Sequence, residues 1–556
     1  MKRLSFFSIM LFGLTQLTAQ TLTDSDIKKI DSLFRKWDSK TTPGSVIGVI
    51  RNDSLIYAKG YGMANLEYDI PNTPETIFHM ASVSKQFTAY AIVLLARQGR
   101  LNIDDDIHKY LPWVPDFKER ITIRQLLNHT SGIRDQWQLL AISGTRLDDV
   151  ITQEHIVKIL GKQQELNSMP GEIYNYCNSG YTLLSEIVKS VTGKTLRQFT
   201  DSAIFKPLGM NNTHFHDNYE EIDKNRAYSY QRKGQNSFSN SVLSYSNSGA
   251  TSLFTNINDL SKWVMNFYKP VAGDLKDIQQ LTQKGKLNNG KELNYAHGIV
   301  VDKYKGWVQY SHGGSDAGYR TYLLVFPDVK TGFIQFSNLG DFDLNKVFIL
   351  ADMFIKDTAK LNVTAQKSVI DSSRAVLKDS VYMKKYLGNY ISEEGNLFSI
   401  ELKQGMLKYK FNNQPKALVP QGKDHFYNLD DAAVTCDFRI NGKDTIINMK
   451  TPDQSFILRK YNINQKLTDA ALMKYTGTFS SPELDCSYRI ILKDHALFLT
   501  HDKYPDQKIR LTGTDHLNTN TWWMYHLVML RNSKNEISGF EVNSGRVMHL
   551  KFNKVK

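Results

Sequence analysis

Cysteine is scarce in this chain: only Cys177, Cys436 and Cys486 occur among 556 residues. So few cysteines exclude a disulfide framework as the organising device of the fold. Cys436 and Cys486 could pair in an oxidising compartment, but only if the fold brings them together. The 14 histidines include no His-x-x-x-His spacing, and the cysteines no Cys-x-x-Cys spacing. We therefore expect no metal site and no other cofactor.

Long apolar runs are also missing. After the first residues, no segment reaches the roughly 18 consecutive apolar residues that span a membrane. Positive charge is plentiful, with a net charge of +13, but it is scattered along the chain rather than clustered. Nucleic-acid binding requires a basic patch or a fold signature, and neither is present. We expect no nucleic-acid partner, and a mildly basic surface suited to anionic surroundings such as a cell envelope.

Residues 1–20 have the pattern of an export signal. Lys2 and Arg3 form a positive start, Leu4 to Leu14 is a short apolar stretch, and Leu17-Thr18-Ala19 offers a small-residue cleavage site. The apolar stretch is too short to span a membrane comfortably. We predict a signal peptide over residues 1–20, an exported protein that is periplasmic or secreted, and no transmembrane anchor after cleavage. An uncleaved amphipathic N-terminus is the alternative.

The length of the chain predicts roughly two to four domains. Residues 21–360 mix helical patterns with strands, which favours an α+β domain built on an antiparallel sheet flanked by helices. A hairpin is predicted over Gly44–Tyr61 and three further strands between Trp307 and Asn338. Helices are predicted near residues 82–98, 121–129, 150–163, 180–192 and 257–268.

Beyond a polar linker at residues 361–380, the pattern changes to short alternating strands with no convincing helix. Tyr386-Leu387-Gly388-Asn389-Tyr390 is similar to Tyr475-Thr476-Gly477-Thr478-Phe479, which indicates an internal repeat. We predict an all-β region of two barrel-like repeats, at residues 381–465 and 466–556. The strands could form two small barrels or one closed lipocalin-like barrel.

The segment Ser82-Val83-Ser84-Lys85 precedes an apolar helix and supplies a nucleophile with a base. The unpaired N–H groups and the dipole of a helix N-terminus favour negative charge, which suits an oxyanion at Ser82. Lys85 lies one turn later on the same face, and burial there should lower its pKa until the neutral amine can accept the serine proton. The same spacing recurs in Ser25-Asp26-Ile27-Lys28, and an N-cap serine beside a solvated lysine is the structural alternative.

Two further motifs, Tyr176-Cys177-Asn178 and His312-Gly313-Gly314, complete an inventory for acyl transfer. Tyr176 can relay a proton when its oxygen faces a cationic lysine, which stabilises the phenolate. Asn178 can donate to a substrate carbonyl and accept from its N–H. The glycines, at the end of a predicted strand, let a ligand approach the backbone. Each motif alone also fits an ordinary loop or turn.

Taken in order, these motifs resemble the serine β-lactamase and penicillin-binding-protein superfamily, in its class C-type branch, over about residues 43 to 345. The likeness extends through Phe78–Thr88, Leu126–Gly132, Pro207–Met210 and the stretch from Ser248 to Leu260. That branch contains class C β-lactamases, D-Ala-D-Ala carboxypeptidases, D-aminopeptidases and related esterases. The resemblance therefore implies a β-lactamase-like catalytic domain that acylates a serine.

The resemblance also implies a role for each motif residue. The matching positions are the acylated serine Ser82, its base pair Lys85 and Tyr176, the substrate-binding Asn178, His312 and Gly314, and the backbone N–H groups of Ser82 and Ser315 as the oxyanion hole. Cys177 replaces the usual serine and is expected to be a packed thiol. His312 stands where classical lactamases have a lysine, and a mostly uncharged histidine favours peptidase or esterase relatives.

These roles imply an exported serine hydrolase that needs no cofactor. Its first expected substrate is a peptide containing a D-amino acid, such as a peptidoglycan fragment. A carboxylic ester is second and a β-lactam third. D-aminopeptidases of the family carry two β-barrels after the catalytic domain, one of which reaches a loop toward the active site and could bring acidic residues to a substrate amine. The alternative from another class is a non-catalytic binder of cell-wall fragments. The oligomeric state stays open.

Overall fold

The computed structural model describes residues 22–357, 380–392, 395–411, 414–429, 434–441, 444–451, 455–461 and 467–555. The predicted export signal and most of the predicted linker lie outside these residues. Within the described part of the chain, every helix is too short or too polar to cross a membrane.

Thirteen α-helices occur in the described residues: α1 Asp24–Phe34, α2 Ser84–Arg97, α3 Ile123–Leu127, α4 Gln136–Ile142, α5 Gln153–Leu160, α6 Asn178–Thr192, α7 Leu196–Thr200, α8 Lys206–Leu208, α9 Ile257–Asn266, α10 Leu275–Leu281, α11 Lys346–Asp352, α12 Ser380–Met383 and α13 Asp469–Met473. Shorter turns of 3₁₀ or π type lie at Arg35–Trp37, Ala81–Val83, Ile107–Lys109, Asp201–Phe205, Pro327–Val329 and Lys384–Tyr386.

The strands up to residue 357 are β1 Ser45–Arg51, β2 Ser54–Tyr61, β3 Met63–Asn65, β4 Ile70–Pro71, β5 Phe78–His79, β6 Val150–Thr152, β7 His214–Phe215, β8 Tyr230–Arg232, β9 Phe238–Asn240, β10 Ser244–Ser246, β11 Leu253–Thr255, β12 Val300–Tyr304, β13 Trp307–Asp316, β14 Tyr319–Phe326 and β15 Thr331–Ser337. Six of them form the main antiparallel sheet, in the order β12-β13-β14-β15-β1-β2.

This sheet is buried on both faces because β1 alternates its apolar side chains between two cores. Val46 and Ile50 join the larger core, which contains α2 and α9, whereas Ile47 and Val49 join a smaller one with α1 and α11. The predicted hairpin is confirmed: β1 and β2 pair across a turn at Asn52-Asp53, where both residues have positive φ. The expected α+β architecture, with helices flanking an antiparallel sheet, is thus present.

The strands of the tail are β16 Gly388–Ser392, β17 Leu397–Lys403, β18 Met406–Phe411, β19 Gln414–Gly422, β20 His425–Asn428, β21 Thr435–Asn441, β22 Asp444–Lys450, β23 Ser455–Tyr461, β24 Gly477–Ser481, β25 Cys486–Lys493, β26 Ala496–His501, β27 Tyr504–Lys508, β28 Arg510–Leu511, β29 His516–Asn518, β30 His526–Arg531, β31 Ile537–Ser544 and β32 Val547–Lys554.

These strands form two separate sheets. β16–β23 close into an eight-stranded barrel, and β24–β32 form a nine-stranded sheet whose edges are β27 and β28. Because β27 and β28 follow each other in the chain, the second sheet curls nearly into a barrel. The expectation that the tail has no helix is wrong, since α12 and α13 each precede the first strand of a sheet.

The internal repeat has a structural cause at its glycines. Gly388 and Gly477 open the first strand of each sheet with φ of +143° and +150°, in a region that other residues rarely adopt. A lysine from the last strand crosses each glycine: a Cβ there would lie 2.6 Å from Cε of Lys460 or of Lys554. Both sheets therefore repeat the same junction of first and last strand.

The two sheets relate differently to the first domain. The closed barrel has its own apolar core, whereas the nine-stranded sheet shares one with the helices of the first domain. Helix α4 docks on this sheet, and the Tyr488 hydroxyl donates to the carbonyl of Ile142 at 2.8 Å. All three cysteines are buried free thiols, so Cys436 and Cys486 do not pair.

Candidate active site

Ser82 lies in the 3₁₀ turn Ala81–Val83, immediately before α2. Ala81 has φ of +48°, a backbone strain that the surroundings support from two sides. The N–H of Met80 donates to the carbonyl of Leu253 at 2.8 Å, and the hydroxyl of Thr321 donates to the carbonyl of Met80 at 2.8 Å. The predicted position at a helix start is confirmed. Ser82 is partly exposed, whereas residues 84–95 of α2 are buried.

Lys85 is buried in α2 and points its ammonium group at Ser82. Its Nζ lies 3.0 Å from Oγ of Ser82, 2.9 Å from Oδ1 of Asn178 and 2.8 Å from the carbonyl oxygen of Ala250. Burial lowers the pKa of Lys85 to about 7, against the opposing attraction of Asp316 and Asp135. The predicted direction of the shift is therefore confirmed. A neutral amine at this position has a lone pair available for the Ser82 proton.

Tyr176 lies beside Lys85 but presents its ring face rather than its oxygen. Nζ of Lys85 lies 4.9 Å from the ring centroid. The hydroxyl is buried without a hydrogen-bond partner among the described residues. Burial raises the pKa of the Tyr176 phenol, although its proximity to the Ser82 hydroxyl and to Arg546 opposes that shift. The condition for a lysine-stabilised phenolate, a lysine that faces the phenol oxygen, is therefore not met in this geometry.

Asn178 connects Lys85 to a carboxylate that the sequence motifs do not include. Its backbone N–H and its Nδ2 donate to Oδ2 of Asp135 at 2.7 and 2.8 Å, while its Oδ1 accepts from Lys85. Asp135 itself caps the N-terminus of α4. Asn178 is the first residue of α6, so the predicted helix start near residue 180 was two residues late. Cys177, its neighbour, is a packed thiol, as predicted.

His312 is neutral and both of its ring nitrogens are occupied. Burial lowers the pKa of His312 to about 3. Its Nδ1 lies 2.6 Å from the carbonyl oxygen of Gly313 and its Nε2 lies 3.0 Å from the hydroxyl of Tyr295. A neutral ring satisfies both contacts when Nδ1–H donates to Gly313 and Nε2 accepts from Tyr295. The His312 motif itself therefore supplies no cationic side chain, and its histidine accepts a hydrogen bond from the hydroxyl of Tyr295.

Gly314 allows strand β13 to pack closely against the turn Ala81–Val83, which carries Ser82 and is called the nucleophile turn below. A Cβ at this position would lie 2.2 Å from Oγ1 of Thr321 and 2.5 Å from the carbonyl oxygen of Met80. The prediction that the strand ends at the His-Gly-Gly motif is wrong, because β13 continues to Asp316. Ser315 follows on the exposed rim, and the pairing of its N–H with that of Ser82 as an oxyanion hole stays a prediction.

Asp316, at the end of β13, adds a carboxyl group that the motifs did not reveal. The hydroxyl of Thr251 donates a hydrogen bond to it. Burial raises the pKa of Asp316 to about 6, against the opposing effects of Thr251 and Lys85. Besides Lys85, the site therefore contains a second titratable group whose pKa is shifted toward neutrality.

The tail contributes an arginine to the same site. Arg546 lies in the turn between β31 and β32, and its backbone N–H donates to Oε1 of Gln138 at 2.9 Å. Its carbonyl accepts from the N–H of Asp135 at 3.1 Å. Its guanidinium lies 4.9 Å from the centroid of the Tyr176 ring, and Nη1 lies 4.0 Å from Oδ2 of Asp135. A tail loop thus reaches the site as expected, but the group that it delivers is basic.

Comparison with known proteins agrees with this architecture. The sequence profile of the family described as Beta-lactamase matches residues 30–351. Protein flp of Staphylococcus aureus strain MRSA252 is 29% identical over 334 residues, 57% of this chain and 64% of flp. Penicillin-binding protein 4* of Bacillus subtilis strain 168 is 24% identical over 416 residues, 72% of this chain and 91% of that protein.

Among solved structures, the octameric penicillin-binding protein homologue from Pyrococcus abyssi superposes with a TM-score of 0.54 at 24% identity. That alignment covers 78% of this chain and all of the other. At this identity the likeness concerns the fold alone. The family profile, however, spans more than half of the sequence and contains Ser82, Lys85, Tyr176 and the His312 motif. The chain therefore belongs to the beta-lactamase family.

Proposed function

We propose that this protein is an exported serine hydrolase that forms an acyl-enzyme at Ser82. Its substrates would be D-amino-acid-containing peptides, such as muropeptide fragments, that carry a free carboxylate on the leaving side of the scissile bond. The observation that carries this proposal is the position of Arg546 over Tyr176 and within 4.0 Å of Asp135. It supports a peptide substrate because a guanidinium binds a carboxylate through two parallel hydrogen bonds.

The proposed chemistry uses the contacts around Lys85. Oγ of Ser82 attacks the peptide carbonyl while neutral Lys85, 3.0 Å away, takes its proton. Tyr176 keeps its proton because burial raises its pKa, so it does not act as the base. The proton that Lys85 took from Ser82 passes to the departing amine, and water then cleaves the acyl-enzyme with neutral Lys85 again as the base.

A cation from the tail would replace the one that the third motif lacks. His312 is neutral and its nitrogens contact Gly313 and Tyr295, so it offers no charge to a substrate. Arg546 is permanently charged and 46% of its side chain is exposed, which leaves donors for a ligand. A β-lactam also carries a carboxylate, so the choice of a peptide over a β-lactam rests on the family resemblance. The preference for D-amino acids rests on the family resemblance, and export rests on the pattern of residues 1–20.

The substrate test compares N-acetyl-D-alanyl-D-alanine with its C-terminal amide. In Arg546→Ala, we expect KM for the free acid to rise roughly 10- to 100-fold, the value of a charge-assisted hydrogen bond, with little change for the amide. Release of D-alanine and of D-alaninamide, followed chromatographically, gives both values. Lys551→Ala is the matched control, since Lys551 lies on β32, which begins just after Arg546, and pairs with Glu165.

The same assay distinguishes the proposed function from the alternative functions. Equal losses on acid and amide would contradict a carboxylate-binding role for Arg546. Turnover of p-nitrophenyl acetate without turnover of either peptide would identify an esterase, and turnover of nitrocefin alone a lactamase. Binding of muropeptides with no turnover and no adduct on Ser82 would identify a non-catalytic binder.

Activity should rise with pH through about 7. The pKa of Lys85 is lowered to about 7, so its base form, which accepts the Ser82 proton, increases above that value. The pKa of Asp316 is raised to about 6, so its ionisation precedes that of the lysine and favours the charged amine. His312 does not contribute, because its pKa is lowered to about 3. A kcat/KM profile between pH 5 and 9 measures this limb.

Asp316→Asn is the companion variant for the pH profile. Removing the carboxylate removes an attraction that raises the pKa of Lys85, so the limb should move to lower pH. A limb that stays in place in this variant would show that another group controls it.

A further inference from the structure

His214, His216 and Asp223 bring three potential metal ligands together behind the nucleophile turn. His214 lies on β7, and the other two lie in the segment that follows. Nε2 of His214 lies 3.3 Å from Oδ1 of Asp223, Nδ1 of His216 lies 3.2 Å from Oδ2 of Asp223, and the two ring nitrogens lie 3.4 Å apart. The side chains are 17%, 2% and 7% exposed. The three side chains therefore form a buried cluster and not part of a solvated surface.

The cluster is poorly explained as a set of hydrogen bonds. Oδ2 of Asp223 is buried and has no hydrogen-bond partner among the described residues, although Nδ1 of His216 lies 3.2 Å away. The two ring nitrogens are at the long limit of a hydrogen bond. A buried, unpartnered carboxylate oxygen is costly. The buried donor atoms of this cluster therefore do not fully satisfy one another's hydrogen-bonding capacity.

The two histidine nitrogens have the spacing of neighbouring ligands of a tetrahedral zinc ion. Ligand bonds of about 2.0–2.2 Å at tetrahedral angles place neighbouring donor atoms about 3.3–3.6 Å apart. The nitrogens are 3.4 Å apart, and Asp223 approaches His214 with Oδ1 at 3.3 Å and His216 with its other oxygen, Oδ2, at 3.2 Å. One donor atom from each of the three residues lies within 4.8 Å of the others. Two imidazoles and one carboxylate form a donor set that zinc accepts readily. We propose that His214, His216 and Asp223 bind one Zn²⁺ ion.

The fourth position is left for water. Glu221 is the nearest further carboxylate, with Oε2 at 4.0 Å from Nδ1 of His216. Both of its oxygens already accept from the guanidinium of Arg197. The zinc would thus have three protein ligands and one solvent ligand.

A metal here would stabilise the segment that positions Ser82. β7 pairs with β11, and β11 pairs with β5, which leads directly into the nucleophile turn. The N–H of His216 donates to the carbonyl of Ser252 at 2.8 Å, next to the Leu253 carbonyl that binds Met80. The ion would tie residues 214–223 to this sheet. Its role is structural, and no step at Ser82 passes through it.

The sequence did not predict this site, because its spacing is not one of the familiar zinc patterns. The two histidines are separated by one residue, and the third ligand comes from a loop that only the fold returns to them. The expectation of no metal depended on spacings such as His-x-x-x-His, which a helix would present.

The test uses the full-length protein without a histidine tag. After chelator treatment and dialysis, ZnCl₂ is added and bound zinc is measured by elemental analysis and by isothermal titration. We expect one equivalent per chain, a higher melting temperature with zinc, and intense visible absorption when Co²⁺ replaces it. In His216→Gln, zinc affinity should fall by more than the roughly 10- to 100-fold that loss of a second-shell partner causes.

His425→Gln is the matched control, because His425 pairs with a single carboxylate among the described residues, that of Asp437 in the closed barrel. Its zinc affinity should equal that of the wild type. Asp223→Asn provides a second ligand variant if His216→Gln does not fold. Absence of stoichiometric zinc in the wild type, or equal affinity in wild type and either ligand variant, would overturn the proposal.

Discussion

Ser82→Ala is expected to keep the fold and to lose turnover by on the order of 10³- to 10⁶-fold on every substrate that the wild type hydrolyses. The alanine removes the only group to which the acyl chain would attach, while the contacts of Lys85 to Asn178 and Ala250 remain. A fluorophosphonate probe and intact-mass spectrometry measure the adduct, and the peptide assay measures the rate.

Ser25→Ala is the matched control for that variant. Ser25 precedes Lys28 with the same spacing as Ser82 and Lys85, but it is exposed on α1. We expect full labelling and full turnover in Ser25→Ala. Probe attached to the Ser82→Ala protein, or activity retained by it, would remove Ser82 from the mechanism.

Glu483→Ala is expected to destabilise the protein by about 3–5 kcal/mol, the cost of leaving one charge of a buried ion pair without its partner. Nη1 of Arg134 lies 2.6 Å from Oε2 of Glu483, and their side chains are 0% and 3% exposed. Oε2 also accepts from the N–H of Gln164 at 2.8 Å. This pair crosses the contact between the first domain and the nine-stranded sheet. Urea denaturation followed by tryptophan fluorescence measures the first unfolding transition.

The control for this variant is Asp485→Ala at the same contact. Asp485 pairs with Lys162 in solvent, with 66% and 36% of the side chains exposed. Exposed pairs contribute about 0–1 kcal/mol, so the transition should barely move. Similar losses of stability in both variants would show that burial does not determine how much the Arg134–Glu483 pair contributes to stability.

The part of the site that the sequence predicted is the part that lies on single elements. Ser82 and Lys85 are one helical turn apart, so their contact follows from local geometry. The burial of α2, and with it the lowered pKa of Lys85, follows from its apolar pattern.

The rest depends on contacts between distant segments. Asp135 caps α4, a helix that the sequence did not predict, and nothing local pairs it with Asn178. Arg546 reaches Tyr176 because the turn between β31 and β32 binds Gln138 of α4, a contact that only the docking of the whole sheet determines. Side-chain pairs of this kind leave no periodicity in the sequence.

Tertiary contacts outweighed local preference at two positions. Two successive glycines weaken a strand, yet β13 continues through them because β14 pairs with it from Tyr310 to Asp316. Lys85 approaches the ring of Tyr176 rather than its oxygen because Ser82, Asn178 and Ala250 already bind the ammonium group. In both cases the deciding partner comes from another segment.

The position of Arg546 affects the order in which the site can be assembled. All three motifs precede it in the chain, and the turn that carries it belongs to the last hairpin of the nine-stranded sheet. A ribosome therefore completes the nucleophile, its bases and the His-Gly-Gly strand well before it makes the residue that lies over Tyr176. A nonsense mutation shortly before the final hairpin would produce a chain with every recognisable motif and an incomplete site.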